Sequence, residues 1–406
     1  MKMEWIEGGV TAAQGFTAAG IYSGIRKNKS KPDLAMIYAK VPCSAAAVYT
    51  QNLVKGAPVA VTRKNIADGR AQAVICNSGN ANTCNADGEE KAWRMCEIAA
   101  QELGIAPQDV VVASTGVIGQ VLPIEPIEQA APALAKALSP TGSGDAARAI
   151  MTTDTEMKNL AVELNIGGKP VRIGGIAKGS GMIHPNMATM LCFLTTDAAI
   201  SACALNAALM EAVHVSFNMV SVDGDTSTND MTAILASGLA GNGEITGDSE
   251  DYRLFVQGLT ALCTALARKV AKDGEGATKL LVCRVTGARS EKDARLVAKS
   301  VICSSLFKAA MFGADANWGR VLCAIGYADA DVDVSLVDVA FESKAGRIEV
   351  CKNGAGIDFD EDEAKKILTQ DEINVDVALN GGEFHACAFG CDLTYDYVKI
   401  NGDYRS

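Results

Sequence analysis

Two periodicities alternate along this chain. Short apolar runs rich in β-branched residues read as strands, and stretches with apolar residues every three or four positions read as helices. "LAMIYAKV" (34–41), "APVAVT" (57–62), "AQAVICNSG" (71–79) and "DVVVAS" (109–114) are of the first kind. "DGEEKAWRMCEIAAQELG" (87–104) is of the second: Ala92, Met95, Cys96, Ala99 and Leu103 form one stripe, acids fill the first turn, and Gly104 marks the stop. "IEPIEQAAPALAKAL" and "GDAARAIM" are predicted helical. "NLAVELNI" and "KPVRIGGI" flank Gly167-Gly168, the pattern of a β-hairpin. "ATMLCFLTTD" (188–197) reads as a further strand. Helices are expected near 201–215, 251–272 and 290–311, with the strand "KLLVCRV" between the last two. The last third is strand-rich with one short helix near 361–369. No repeat of 20–50 residues is visible, and the pattern suits an α+β protein with helix-covered antiparallel sheet.

At 406 residues the chain exceeds one ordinary core, so two or three domains or one large packed unit are expected. Its composition, 49% hydrophobic and 21% charged, is that of a soluble globular protein. Net charge is −11 with lysines and arginines scattered, which leaves no basic face for nucleic acid or an anionic membrane. Apolar stretches fall short of the ~20 residues of a membrane span, and the N-terminus lacks the apolar core of a secretory signal. Thirteen unpaired-looking cysteines fit reduced, mostly buried thiols and a cytoplasmic location. With only His184, His214 and His385, a histidine-rich metal site is not expected.

The usual nucleophile and nucleotide signatures fail. "KGSGM" sets its glycines too close to Ser180 for a nucleophile elbow. "GGKP" ends a would-be Walker A in proline, and "GSGMIH" misses the dinucleotide pattern. His184 is the only histidine near a Gly-rich loop. An enzyme can dispense with histidine when the nucleophile carries its own base. A threonine at a new N-terminus does so, because a peptide α-amine ordinarily titrates at about 7.7–8. "HPNMATM" (184–190) offers Thr189 behind the small Ala188 and a proline turn. Taken alone, the start of a structural strand is the commoner meaning. "VVVASTGVIG" (110–119) runs a strand into Thr115-Gly116, a turn able to aim two N–H donors at an oxyanion, or else simply to end a strand.

Ten segments in order from residue 8 to 406 resemble the ornithine acetyltransferase (glutamate N-acetyltransferase) family of the arginine pathway. They are "GGVTAAQGF", "TQNLVKGAPV", "CNSGNANTCN", "STGVIG", "AIMTTDT", "IAKGSGMIHPNMATML", "DGDTSTNDM", "DGEGATK", "GADANWGR" and "YVKINGDYRS". The resemblance implies self-cleavage between Ala188 and Thr189, giving an α chain (1–188) and a β chain (189–406) that stay together, usually as α2β2. It implies Thr189 as the nucleophile that takes acetyl from N-acetylornithine and passes it to glutamate, and Thr115 and Gly116 as the oxyanion pair. Substrate contacts map to Thr152 with Thr153 beside it, Lys178, Thr189, Glu275, Asn401 and the last residue, Ser406, where the family usually has threonine. No cofactor or metal is implied; acetyl-CoA enters only as a second donor in some members. The implied fold is a four-layer α/β/β/α sandwich resembling that of N-terminal-nucleophile hydrolases.

The residue chemistry suits those roles. Lys178 matches a substrate carboxylate and Glu275, in a Gly-flanked loop, matches an ammonium group; solvated surface charges are the alternative. "GDTSTND" and "GADANWGR" read as pocket-shaping loops, although Asp315 and Arg320 also suit a structural pair, and the asparagines of "CNSGNANTCN" suit either the site or turn duty. A tail carrying Asn401 and Ser406 would help keep water from an acyl-enzyme. The competing enzyme reading is a self-cleaving amidohydrolase or aminopeptidase on the same scaffold, whose members typically place serine at the cut. The non-enzyme reading is a scaffold acting only as a subunit or binding partner.

Overall fold

The computed structural model describes residues 3–184 and 190–403. Thr189, Ala188 and Ser406 therefore lie outside the described residues. Up to the gap the elements are β1 (Met3–Ile6), β2 (Phe16–Ile21), β3 (Leu34–Tyr49), α1 (Ala57–Asn65), β4 (Arg70–Asn80), α2 (Gly88–Leu103), β5 (Val110–Val117), α3 (Glu125–Lys136), α4 (Ser143–Ile150), β6 (Lys158–Ile166) and β7 (Lys169–Lys178). After it come β8 (Leu191–Thr196), α5 (Ala202–Val215), β9 (Val220–Ser221), β10 (Met231–Ala236), α6 (Glu250–Lys272), β11 (Leu280–Ala288), α7 (Glu291–Cys303), α8 (Ser305–Phe312) and α9 (Trp318–Gly326). The chain closes with β12 (Asp338–Ser343), β13 (Gly346–Lys352), β14 (Ala355–Gly356), α10 (Glu361–Leu368), β15 (Glu372–Ala378), β16 (Phe384–Cys391) and α11 (Tyr395–Asp403).

The larger sheet runs β1-β6-β7-β8-β10-β3-β4-β5, with β2 also on β3. β3 is its spine: the first half pairs with β2 and β4, the second half with β10, and its register against β4 shifts between Tyr38 and Cys43. Ile176, Leu191, Phe193 and Ala233 from one side of this spine share a buried cluster with Val74, Val111 and Ala113 from the other and with Ile37 of the spine itself. Among the described residues, the helical segments contributing to that cluster are the short α4 and single turns at Gly9–Thr11 and Ile66–Asp68. So few covering residues cannot seal such a face, so the sheet folds over along β3 and its two limbs cover each other. α5 and α6 pack on the outside of the first limb, through Leu205, Leu209, Phe255 and Leu262. α2 and α3 pack on the outside of the second, through Met95, Ala99, Ile127 and Leu134. The result is the expected four-layer α/β/β/α sandwich, with the facing β layers supplied by one folded sheet.

The second sheet, β14-β13-β12-β15-β11-β16-β9, is an addition outside those layers. Leu280, Val282 and Phe389 on one face pack against α6. Its other face is covered by α7 to α10, through Val297, Val301, Phe307, Val321 and Ile367. By length and composition alone α6 would cross a membrane. It instead lies between the two sheets, with Leu259, Leu262 and Leu266 fully buried.

Three expectations differ, the last being the tail, where "TYDYVKI" of the strand-rich last third opens helix α11 and not a strand. "APVAVT" is not a strand but the start of α1, with Pro58 in its first turn. Thr62 explains the helix: its hydroxyl donates to Val112 O (2.7 Å) and accepts from Val112 N (2.8 Å), while Asn65 Nδ2 donates to Val110 O (2.8 Å). Thr62 and Asn65 thus seal the open edge of β5, a tertiary demand that outweighs strand propensity. The helix expected over 290–311 is two helices, broken at Ser304, whose hydroxyl caps α8 by accepting from Phe307 N (3.3 Å).

Candidate active site

One cavity collects most of the expected site. Its lining includes Thr115, Gly116, Thr152, Thr153, Lys178, Glu275 and Asn401, contributed by segments up to 286 residues apart in number, together with Ser227, Thr228 and Asn229. It sits where β5 and β7 end and β8 and β10 begin. The antiparallel pairing of Lys178 with Leu191 brings the end of β7 to the start of β8.

Local sequence explains each placement. Gly116 lies at φ 133° against Gly79 and Asn80 of β4, so close that any Cβ would collide with that backbone. That contact lets the end of β5, with its irregular register at Gly79 and Asn80, bring Thr115 and Gly116 to the cavity. Gly181 meets the Glu275 carboxyl in the same way, which admits Glu275 to the wall. Lys178 is buried, 8% exposed, and its Nζ donates to Thr115 Oγ1 at 3.4 Å. Asn401 Nδ2 on α11 donates to Glu275 Oε2 at 2.8 Å, so the last helix closes over the acid.

A buried ionic network, not anticipated from the sequence, pins these loops together. Lys158 Nζ, fully buried, bridges Asp154 (2.8 Å) and Asp273 (2.5 Å). Asp154 also accepts from Thr152 N (3.0 Å) and Gly179 N (2.7 Å). Asp273 accepts from Thr155 N (3.1 Å) and Glu156 N (3.2 Å), and its carbonyl accepts from Ser180 Oγ (2.6 Å). Burial alone pushes the Asp154 carboxyl up. The ammonium groups of Lys178 and Lys158, with the donors from Lys158 and Gly179, outweigh it and hold the acid well below the usual carboxylate range. The threonine loop, the lysine strand end and the Glu275 loop are thereby held in one register. Asp154 and Asp273 lie inside "MTTDT" and "DGEGATK"; Lys158 opens a strand like any surface lysine and carries no signal of its own.

Other expectations sort clearly. The asparagines of "CNSGNANTCN" serve turns: Asn77 Nδ2 donates to Asn80 O (2.9 Å) and Asn82 Nδ2 to Gly88 O (2.9 Å). Asn229 of "GDTSTND" ties Ala81 O (2.6 Å) to Ser114 O (3.0 Å) and so braces the cavity wall. "GADANWGR" shapes no wall of this cavity; Asn317 caps α9, and Arg320 donates to Leu306 O (2.6 Å) rather than pairing with Asp315. His184 faces Ser221 (3.1 Å) and Cys303 (3.5 Å), and burial together with nearby Lys299 lowers its pKa to about 4. It is a neutral packed imidazole and does not line the cavity. All thirteen cysteines are free, and burial pushes Cys43, Cys76 and Cys96 to about 12. Among the described residues no group of three or more His, Cys, Asp or Glu side chains is placed to hold a metal ion.

The ArgJ family model matches residues 17–406. The chain belongs to the ArgJ family. It is thus an acyltransferase of arginine biosynthesis. It is 53% identical over 406 residues to the arginine biosynthesis bifunctional protein ArgJ of Symbiobacterium thermophilum, covering 100% of both chains. It is 46% identical over 403 residues to that of Bacillus subtilis, covering 99% of this chain and 97% of that one. The crystal structure of arginine biosynthesis bifunctional protein ArgJ from Bacillus halodurans matches at 45% identity with a TM-score of 0.50, over 52% of this chain and 98% of that chain.

Proposed function

We propose that this ArgJ-family member moves acetyl from N-acetylornithine to glutamate through an acetyl ester on Thr189, and that the chain first cuts itself between Ala188 and Thr189. The α chain (1–188) and β chain (189–406) remain associated, as α2β2, in the cytoplasm. The observation that carries the reading is the convergence of Thr115, Gly116, Thr152, Thr153, Lys178, Glu275 and Asn401 on one cavity at the head of the strand that follows Thr189. A second support is that the Bacillus halodurans chain is matched over 98% of its length by about half of this one, as a cut near the middle would leave.

The chemistry follows from these groups. The α-amine of Thr189 accepts the proton of its own hydroxyl as the oxygen attacks the acetyl carbonyl. Donors at Thr115 and Gly116 stabilise the tetrahedral oxyanion, an effect worth about 3–4 kcal/mol per donor. Collapse expels ornithine, whose amine takes up the proton. Glutamate then binds in the same place, and its amine attacks the ester to give N-acetylglutamate. Lys178 holds the α-carboxylate common to both substrates, and Glu275 with Asn401 holds the side-chain ammonium of ornithine. Acetyl-CoA, used as a second donor, would enter the same ester; the "bifunctional" relatives make it a reasonable trial substrate.

Labelled N-acetylornithine supplied without glutamate tests this. Label is expected on the fragment that begins at Thr189, and glutamate chases it into N-acetylglutamate. Release of label as acetate at the same rate with and without glutamate would instead make the protein a hydrolase.

A further inference from the structure

Asp230 is the residue immediately before β10, and it is buried with 2% exposure. The Ser227 hydroxyl bonds to its carboxyl, but Oδ2 is buried with no hydrogen-bond partner among the described residues. The other buried acids of the fold behave differently. Asp33 accepts from Ser23 N and Arg26 N, Asp197 from Gln14 N and Arg172 N, and Asp392 from Thr278 N and Lys279 N. Each of those pins a turn or a strand end; the free oxygen of Asp230 pins nothing. An orphaned buried polar atom is costly to keep, and a fold that keeps one has usually given it another task.

Its position suggests the task. β10 runs parallel to β8 with Met231 opposite Leu191, and Met231 N donates to Met190 O at 2.8 Å. Asp230 and Met190 thus stand side by side at the heads of the two strands. Both line a small recess of about 20 Å³ that shares Thr115 and Lys178 with the main cavity. Residue 189 is one peptide bond from Met190. Burial raises the Asp230 carboxyl well above its ordinary value, against the smaller opposing effects of Ser227 and Lys178, which makes its carboxylate a stronger proton acceptor than an exposed one.

The self-cleavage step has a gap that this group fills. Before the cut, the nitrogen of Thr189 is an amide and cannot serve as a base, and the nearby imidazole of His184 is turned to Ser221 and Cys303. We propose that the Asp230 carboxyl is the proton-transfer group for breaking the peptide bond ahead of Thr189, an inference that rests on the self-cleavage proposed above. The Thr189 hydroxyl oxygen bonds to the Ala188 carbonyl carbon while its proton passes to Oδ2 of Asp230. The same proton then passes from the carboxyl to the departing nitrogen as the C–N bond breaks. The carboxylate is regenerated, and the products are an ester on Ala188 and a free amine on Thr189. Water then hydrolyses the ester, returning the hydroxyl to Thr189 and leaving a carboxylate on Ala188. Once the amine exists, acyl transfer no longer needs Asp230.

Asp230→Asn and Asp230→Ser keep a small polar group and remove the carboxyl that would accept and pass on the proton. The uncut fraction of each full-length chain is followed over time by denaturing gel and intact mass, beside the melting temperature. The expected result is cleavage slowed at least about 100-fold, with a melting temperature equal to or above that of the wild type and partial cleavage restored in Asp230→Glu. Cleavage at the wild-type rate in either folded variant would overturn the inference, as would a collapse of melting temperature in both, which would mark a structural acid. A wild-type chain that stays uncut sinks the self-cleavage reading itself; a cut wild type with a cut Asp230→Asn sinks only the role given to Asp230.

Discussion

At the residue scale, what the sequence revealed was chemistry held in motifs. Thr115, Gly116, Thr152, Thr153, Lys178, Glu275 and Asn401 were named from the family resemblance of the motifs that hold them, and the structure brings all seven to one cavity. Lys158 was not, because nothing in "EMKNL" distinguishes a buried cation from a solvated one; only the approach of Asp154 and Asp273 in three dimensions does. Lys178→Ala removes the cation proposed to hold the substrate carboxylate, so KM is expected to rise by about 100-fold, with a smaller change in kcat. Steady-state kinetics check this, and an unchanged KM would remove Lys178 from substrate binding. Lys158→Met leaves two buried carboxylates facing each other without their counter-ion. It is expected to destabilise the protein by about 3–5 kcal/mol in denaturant titration.

At the element scale, the loops that bear the site are held by charge and the strands by apolar packing. Asp154 has a folded-state pKa below its unfolded value of about 3.9, so its contribution is fully present above that value and is lost as pH falls through the folded one. The stability difference between wild type and Asp154→Asn should therefore stay constant from about pH 7 to 5 and shrink below about pH 4, which melting curves at several pH values measure. Helix α11 has no buried residue of its own yet places Asn401 on Glu275. Removing residues 401–406 is expected to raise KM for N-acetylornithine and increase loss of acetyl to water; unchanged kinetics would reduce the tail to a frayed end. Two features that sequence periodicity missed share one cause. α1 is helical because the edge of β5 needs Thr62 and Asn65, and the break before α8 comes from a serine cap, neither of which appears in a hydrophobic pattern.

At the scale of the whole molecule, the four layers were legible from the family resemblance. The folding of one sheet along β3 was not, since a bend is set by pairing partners far away along the chain. That folded sheet also accounts for how a cut protein would hold together. β8 is paired to β7 and β10 to β3, so ladders cross the proposed cut, and the cluster shared by Ile176, Phe193, Ala233 and Val111 spans it as well. The two pieces should co-elute as one native species and separate only in denaturant. The covalent event itself is the claim on which the rest depends. Intact mass spectrometry of catalytically active protein tests it most directly: the account predicts two polypeptides, the second beginning Thr-Met-Leu at residue 189, and a single uncut chain of 42.3 kDa with full activity would contradict it.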